Sequence, residues 1–96
     1  MSIMLRIEHT VSNFDSWKTA FDSDPVGRQK SDVRSYRILR PTDDPNYVMI
    51  DLEFDGLKQA ENFTSALRNL WGSTEAQKVM QNPKLRIVEQ METKEY

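Results

Sequence analysis

The stretch Tyr-Val-Met-Ile-Asp-Leu-Glu-Phe, residues 47–54, alternates apolar side chains with a mixed set, one residue after the other. This period of two is typical of a β-strand with one buried face. A shift of one residue in its pairing would bury both Asp51 and Glu53, so the apolar side must face the core. The core-facing side chains are therefore Val48, Ile50, Leu52 and Phe54.

The same alternation predicts three further strands around this one. Residues 3–11 carry Ile3, Leu5, Ile7, His9 and Val11 on one side. Residues 33–40 precede 47–54, and the prolines and Asx residues of 41–46 between them favour a turn. These two stretches are expected to pair as an antiparallel hairpin. Residues 85–91 are the expected last strand.

Helical spacing predicts two amphipathic helices. Phe14, Trp17 and Phe21 recur at i, i+3 and i+7 after the N-cap candidates Ser12 and Asn13, with Pro25 and Gly27 ending that helix. A longer helix begins at Asp55 or Gly56 and carries an apolar stripe to Trp71. Gly72 is expected to end it in the left-handed conformation.

Thr74 and Gln77 have the spacing of a capping box, which predicts a short third helix over residues 74–81, closed by Pro83. Leaving that helix aside, the order is strand, helix, strand, strand, helix, strand. We therefore expect one ferredoxin-like α+β domain over 1–96, with two helices on one face of a four-stranded antiparallel sheet.

Composition excludes several classes of protein. The 96 residues carry 13 basic and 15 acidic side chains, a net charge of −2 that disfavours a nucleic-acid partner. There is no cysteine and only one histidine, so we expect no disulfide, zinc site, other metal or cofactor. No apolar run is long enough to be a membrane span, and residues 1–10 do not have the pattern of a secretion signal. A cytoplasmic protein is expected.

The sheet face away from the helices has a mixed composition that predicts an interface. We expect a homodimer in which Arg6, Arg37 or Arg86 pairs with Glu8, Asp51 or Glu53 of a second copy. Met4, Tyr47 and Met49, interleaved among these charges, favour this interpretation. The alternative is a solvated sheet face.

Three short stretches together resemble a known superfamily. These are Ile7-Glu8-His9-Thr10-Val11, then Phe14-Asp15-Ser16-Trp17-Lys18, and Asp43-Asp44-Pro45-Asn46 leading into Val48-Met49-Ile50. They resemble small proteins of the dimeric α/β-barrel superfamily, of the antibiotic-biosynthesis-monooxygenase-like and cyclase-like kinds. The resemblance implies a dimer whose two sheets face each other, with a ligand cleft between the sheet and the helices of each subunit.

His9 is the candidate catalytic residue. It lies on the helix-facing side of the first strand, next to the predicted aromatic helix, and an imidazole with a pKa of about 6.5 is a usable acid or base. The alternative is a packed histidine whose ring bonds to the backbone or to a carboxylate such as Asp15.

Aromatic side chains are abundant for so small a core and predict a pocket for a flat phenolic, quinol or polyketide-like ligand. The candidate ligand-binding residues are Trp17, Phe21, Tyr36, Phe54, Phe63 and Trp71. Each could equally be a core residue.

Two enzymatic functions and one non-enzymatic function stay open. A cofactor-free monooxygenase or a polyketide cyclase each needs a base, for which His9 is available, and Tyr36 or Arg40 could donate to an enolate. Haem-degrading relatives use a histidine on a helix, which neither predicted helix contains. The alternative is a non-catalytic ligand-binding or structural homodimer.

Overall fold

The computed structural model describes residues 2–24, 26–72 and 80–96. These contain β1 (Ile3–Val11), α1 (Phe14–Asp22), β2 (Ser35–Leu39), β3 (Tyr47–Phe54), α2 (Leu57–Trp71) and β4 (Met80–Glu89). The four strands form one antiparallel sheet in the order β2-β3-β1-β4. The predicted ferredoxin-like fold is confirmed.

The core lies between the sheet and the helices, on the side that the alternation predicts. Leu5, Ile7, Ile50, Leu52 and Phe54 are each 5% exposed or less. They lie in register, because Leu5 is opposite Leu52 and Ile7 is opposite Ile50. From α2, Ala60, Phe63 and Leu67 complete this layer. The pairing of β1 with β3 therefore fixes which side chains the helices cover.

The start of α1 agrees with the prediction, whereas the end of α2 differs from it. Asn13 caps α1 as expected, since its side-chain oxygen accepts from the Ser16 backbone N–H at 3.0 Å. Gly72 follows α2 with φ −71° and ψ −10°, so the expectation of a left-handed residue there is wrong. The Gly72 N–H donates to the Leu70 carbonyl, which ends α2 in a tighter right-handed turn.

The prediction for the last strand was wrong in its bounds. β4 begins at Met80 and ends at Glu89, whereas 85–91 was expected. Met80 and Gln81, assigned to a third helix by the capping-box pattern, belong to the strand; residues 74–79 of that prediction lie outside the described residues. Pairing with β1 overrides the local pattern here. Pro83 is tolerated because β4 is an edge strand whose register shifts opposite His9, between Glu8 and Thr10.

Neither described helix has the length and hydropathy needed to span a membrane.

Candidate functional site

The side chain of His9 lies inside the helix-facing layer of the sheet. His9 is opposite Val48 on β3, and only 2% of the residue is exposed. On its other side, the register of β4 shifts between the partners of Glu8 and Thr10. The predicted side of the sheet is confirmed, and the burial is deeper than that of a residue at the mouth of a cleft.

One ring nitrogen of His9 is held by the backbone. Nδ1 lies 3.1 Å from the carbonyl oxygen of Thr10, and because a carbonyl only accepts, Nδ1 must carry the proton. The neutral ring then has its lone pair on Nε2. Burial lowers the pKa of His9 below its ordinary value of 6.5, although the bond to Thr10 opposes this shift. At neutral pH the imidazole is therefore uncharged and able to accept a proton at Nε2.

A continuous line of rings runs from His9 to the edge of the sheet. Trp17 of α1 packs edge-on against His9, with ring centroids 6.1 Å apart. The ring centroids of Trp17 and Phe21 are 5.1 Å apart, and those of Phe21 and Tyr36 on β2 are also 5.1 Å apart. We call His9, Trp17, Phe21 and Tyr36 the aromatic line. Four of the seven predicted site residues are thus joined by successive ring contacts.

The other predicted residues lie elsewhere in the core. Phe54 and Phe63 form a separate pair, with centroids 5.6 Å apart, between β3 and α2. Trp71 is half-buried at the end of α2 and packs against the core. Within the described part of the chain, no ring contact joins these three residues to the aromatic line.

Arg28 is a residue of this region that the sequence analysis missed. Its guanidinium lies 3.9 Å from the centre of the Phe21 ring and 5.0 Å from that of Tyr36. It also donates to the Phe21 carbonyl at 2.8 Å, which fixes its place at the outer end of the aromatic line. Arg28 lies in the loop after α1, where no periodic pattern predicts a contact. A cation on aromatic faces stabilises their arrangement.

A shallow cavity of about 550 Å³ adjoins this end of the line. Arg28 and Tyr36 line it, together with Asp24, Gln29, Asp32, Val33, Arg34 and Ser35. Asp24 and Asp32 have positive φ values of 51° and 70°, an uncommon conformation for residues other than glycine. Two of the acidic residues that line the cavity therefore have left-handed backbone.

The opposite face of the sheet carries two hydrogen-bonded pairs. Arg6 donates twice to Asp51, at 2.8 and 2.9 Å, and Asp51 is only 7% exposed. The Arg6 guanidinium holds the pKa of Asp51 below its usual range. Tyr47 donates to Glu8 at 2.6 Å, which raises the pKa of Tyr47 to about 12. Arg6 thus has an acidic partner in its own chain, and the expected pairing of Arg6, Arg37 or Arg86 with acids of a second copy stays a prediction.

Metal-binding clusters are not found in the described residues: no group of three His, Cys, Asp or Glu side chains is close enough to hold an ion.

Comparison with solved structures places this fold among proteins of very different sequence. A Pseudomonas aeruginosa protein superposes with TM-score 0.70 at 11% identity, covering 95% of each chain. A Nitrosomonas europaea protein provisionally described as an antibiotic biosynthesis monooxygenase has TM-score 0.63 at 17% identity, covering 94% of this chain and 90% of that one. A dimeric ferredoxin-like protein from an uncultured marine organism has TM-score 0.60 at 12% identity, covering 96% and 98%.

At identities of 11–17% these likenesses show the fold, and a protein described as an antibiotic biosynthesis monooxygenase shares it, as the resemblance implies. No family model and no curated protein matches the chain.

Proposed function

We propose that this chain is a homodimeric small-molecule enzyme in which His9 accepts a proton from an aromatic or polyketide-like substrate. The observation that carries the proposal is the fixed tautomer of His9. Thr10 holds the proton on Nδ1, and burial keeps the ring neutral, so Nε2 is a base at neutral pH. Trp17 restricts the orientation of the ring from the helix side.

The aromatic line favours a flat substrate. Trp17, which is 5% exposed, and half-buried Phe21 continue the line of rings from His9, and aromatic side chains bind planar ligands through offset or edge contacts. Removal of a proton from a phenol, or from carbon between two carbonyls, gives an anion. In a cofactor-free monooxygenase that anion reacts with oxygen, and in a cyclase it closes a ring. Both alternatives therefore begin with the removal of a proton.

The homodimer is proposed to form through the open face of the sheet. Exposed Arg6, Arg37 and Leu39 lie there beside half-buried Met4 and Met49, on a face that no described helix covers. A structural neighbour is described as dimeric, which supports a dimer here. Sedimentation at micromolar concentration is expected to give a dimer, and a monomer would contradict the proposal.

A variant of His9 tests the catalytic role. His9→Asn keeps a side-chain N–H near the position of Nδ1 but has no base at the position of Nε2. Two probes are used: oxygen uptake with naphthohydroquinone for the oxygenase, and deuterium exchange of benzoylacetone for the cyclase. We expect the wild-type protein to accelerate one of them, and His9→Asn to lose roughly 100-fold or more of that acceleration.

Glu61→Gln is the control, since Glu61 is exposed on α2, a helix that contributes no residue to the aromatic line. Its acceleration is expected to equal that of the wild type. If His9→Asn is as active as this control, His9 is not the base.

A non-catalytic homodimer is the second candidate, and one observation favours it: only 2% of His9 is exposed. In that case His9 is a packing residue satisfied by the Thr10 carbonyl. A dimer that accelerates neither probe, while its tryptophan fluorescence changes on binding them, would support this candidate over the enzyme.

A further inference from the structure

His9 is covered in this structure, although the proposed function requires its ring to meet a substrate. Only 2% of the residue is exposed, and the ring that contacts it from the helix side, Trp17, is itself 5% exposed. Trp17 and the next ring of the aromatic line, Phe21, are both side chains of α1, one turn apart. One displacement of α1 would therefore move both rings away from His9.

α1 is attached to the sheet by less buried surface than α2. Its one buried side chain is Trp17, whereas α2 buries Ala60, Phe63 and Leu67. α1 has nine residues against fifteen in α2, and the backbone of α2 also lies closer to the strands. Segments with few buried apolar contacts open locally at a lower cost in free energy than the core. α1 should therefore separate from the sheet more readily than α2.

Arg28 joins the last turn of α1 to the outer strand of the sheet. Its Nη1 donates to the Phe21 carbonyl at 2.8 Å, and its guanidinium carbon lies 3.9 Å from the centre of the Phe21 ring. The same carbon lies 5.0 Å from the centre of the Tyr36 ring on β2. The Arg28 side chain is only 17% exposed. One side chain thus contacts the main chain and a ring of α1 and, at the same time, a ring of β2.

We propose that Arg28 is a latch that holds α1 over His9, and that α1 moves away from the sheet when the guanidinium leaves the rings of Phe21 and Tyr36. The substrate then enters between α1 and the sheet and reaches Nε2 of His9. Return of the guanidinium closes α1 and excludes water from the proton transfer. This control of access rests on the proposed function, and it assigns the control to a residue that takes no part in the chemistry.

The cavity beside α1 gives the released guanidinium other partners. Asp24 and Asp32 line it together with Arg28. Oδ1 of Asp24 is already 3.6 Å from Nε of Arg28, and Asp32 forms no ion pair among the described residues. Arg34, which also lines the cavity, is 3.6 Å from Asp55 instead. A guanidinium that gives up the ring faces can therefore bind a carboxylate in their place.

The reaction of His9 with diethyl pyrocarbonate at pH 7 measures the movement of α1. The reagent acylates neutral imidazole, and because His9 is the only histidine, mass spectrometry of its peptide follows a single site. We expect His9 of the folded wild type to react at least roughly ten-fold more slowly than His9 of the urea-unfolded chain. Arg28→Gln removes the guanidinium and should raise the rate of the folded protein at least roughly five-fold, because the open form becomes more populated.

Arg68→Gln is the matched control, since it removes the same charge from an exposed position in the last turn of α2. Its reaction rate should equal that of the wild type. Equal rates for Arg28→Gln and Arg68→Gln overturn the proposal. A wild-type protein that reacts as fast as the unfolded chain overturns it as well, because His9 is then not covered.

A less stable fold would also expose His9, and urea separates the two causes. Global unfolding exposes the whole core, so a reaction that requires it accelerates steeply as urea is added. Movement of α1 exposes little surface, so the reaction rate of Arg28→Gln should be nearly constant well below its unfolding midpoint. A rate that rises with the full slope of global unfolding would show that Arg28 stabilises the fold as a whole, and would overturn the latch.

The reaction with diethyl pyrocarbonate does not depend on catalysis, so the latch and the enzyme can fail separately. A faster reaction in Arg28→Gln, combined with a wild type that accelerates neither naphthohydroquinone oxidation nor benzoylacetone exchange, supports the latch and refutes the enzyme. An unchanged reaction in Arg28→Gln, combined with a wild-type acceleration that His9→Asn loses, refutes the latch alone.

Discussion

The two faces of the sheet are built from alternate residues of the same strands, yet different interactions hold them. On the helix-covered face, Leu5, Ile50 and Leu52 are buried with apolar neighbours on every side. On the open face, one residue further along each strand, Arg6 is bonded to Asp51 and Tyr47 to Glu8. The chain completes the first face with its own helices, whereas the second is organised by directed polar bonds.

The difference shows that burial alone does not mark the apolar side of this sheet. Asp51 is 7% exposed, about as buried as Ile7 at 5%, although it lies on the open face. Its burial comes from the strands around it and from the Arg6 guanidinium that lies against it. A buried carboxylate needs such a partner. Substitution should therefore lower stability on the helix-covered face by removing side-chain volume, and on the open face by removing charge.

The largest effect is expected on the helix-covered face. Phe54→Ala removes a ring that is 1% exposed and packs against Phe63, with the two ring centroids 5.6 Å apart. The cavity left behind should lower the free energy of unfolding by about 3–5 kcal/mol, measured by urea denaturation. The control is Leu39→Ala on the open face, 43% exposed, for which a change within about 0.5 kcal/mol is expected at low protein concentration. Similar losses from both variants would remove the distinction between the faces.

The strands of both faces could be predicted from the sequence because alternation reports burial directly. β1 and β3 have the expected bounds, since Ile3–Val11 and Tyr47–Phe54 keep a strict period of two. β4 does not, because Thr74 and Gln77 imitate the start of a helix and Pro83 imitates its end. Its bounds are set by pairing with β1, a contact between residues distant in the chain that no local pattern contains.

The candidate site, likewise, could be predicted from the sequence only in part. The side of the sheet on which His9 lies follows from the alternation, and Trp17 follows from the helical spacing. The contact of Arg28 with Phe21 and Tyr36 depends on the path of a loop, which the sequence does not specify. The grouping of the aromatic residues into two separate clusters likewise depends on which helix covers which strands.

A smaller effect is expected on the open face. Asp51→Asn keeps the shape of the side chain but removes the charge that Arg6 binds twice. Because the Arg6 side chain is 50% exposed, solvent screens part of the interaction, and a loss of about 1–2 kcal/mol is expected. The pKa of Asp51 is lowered, so this contribution is present above pH 3.8 and disappears as the pH falls below it.

Glu53→Gln is the matched control for Asp51→Asn. It removes the same charge from the same strand and face, at a residue that has no ion pair among the described residues. Its stability near pH 7 should be close to that of the wild type. A loss equal to that of Asp51→Asn would mean that net charge, and not the bond to Arg6, is what matters.

The smallest effect is expected from the titration of His9 and depends on pH. The folded pKa of His9 lies below 6.5, so the unfolded chain binds more protons than the folded chain as the pH falls from 6.5 to that lowered value. Stability should decrease over this interval by up to about 1.4 kcal/mol per pH unit. Because His9 is the only histidine, no other histidine titrates in the same range.

His9→Asn should abolish this dependence and leave the loss below pH 3.8 that Asp51 causes. Urea denaturation of both proteins at points below pH 4 measures the loss that Asp51 causes, and at intervals between pH 7 and pH 4 it measures the His9 dependence. A wild-type protein whose stability is constant over this range would show that the His9 ring is protonated as easily in the folded chain as in water. The His9 ring would then not lie in an apolar layer. The helix-covered face would in that case admit water at its end, and the assignment of His9 to that face as a neutral base would have to be abandoned.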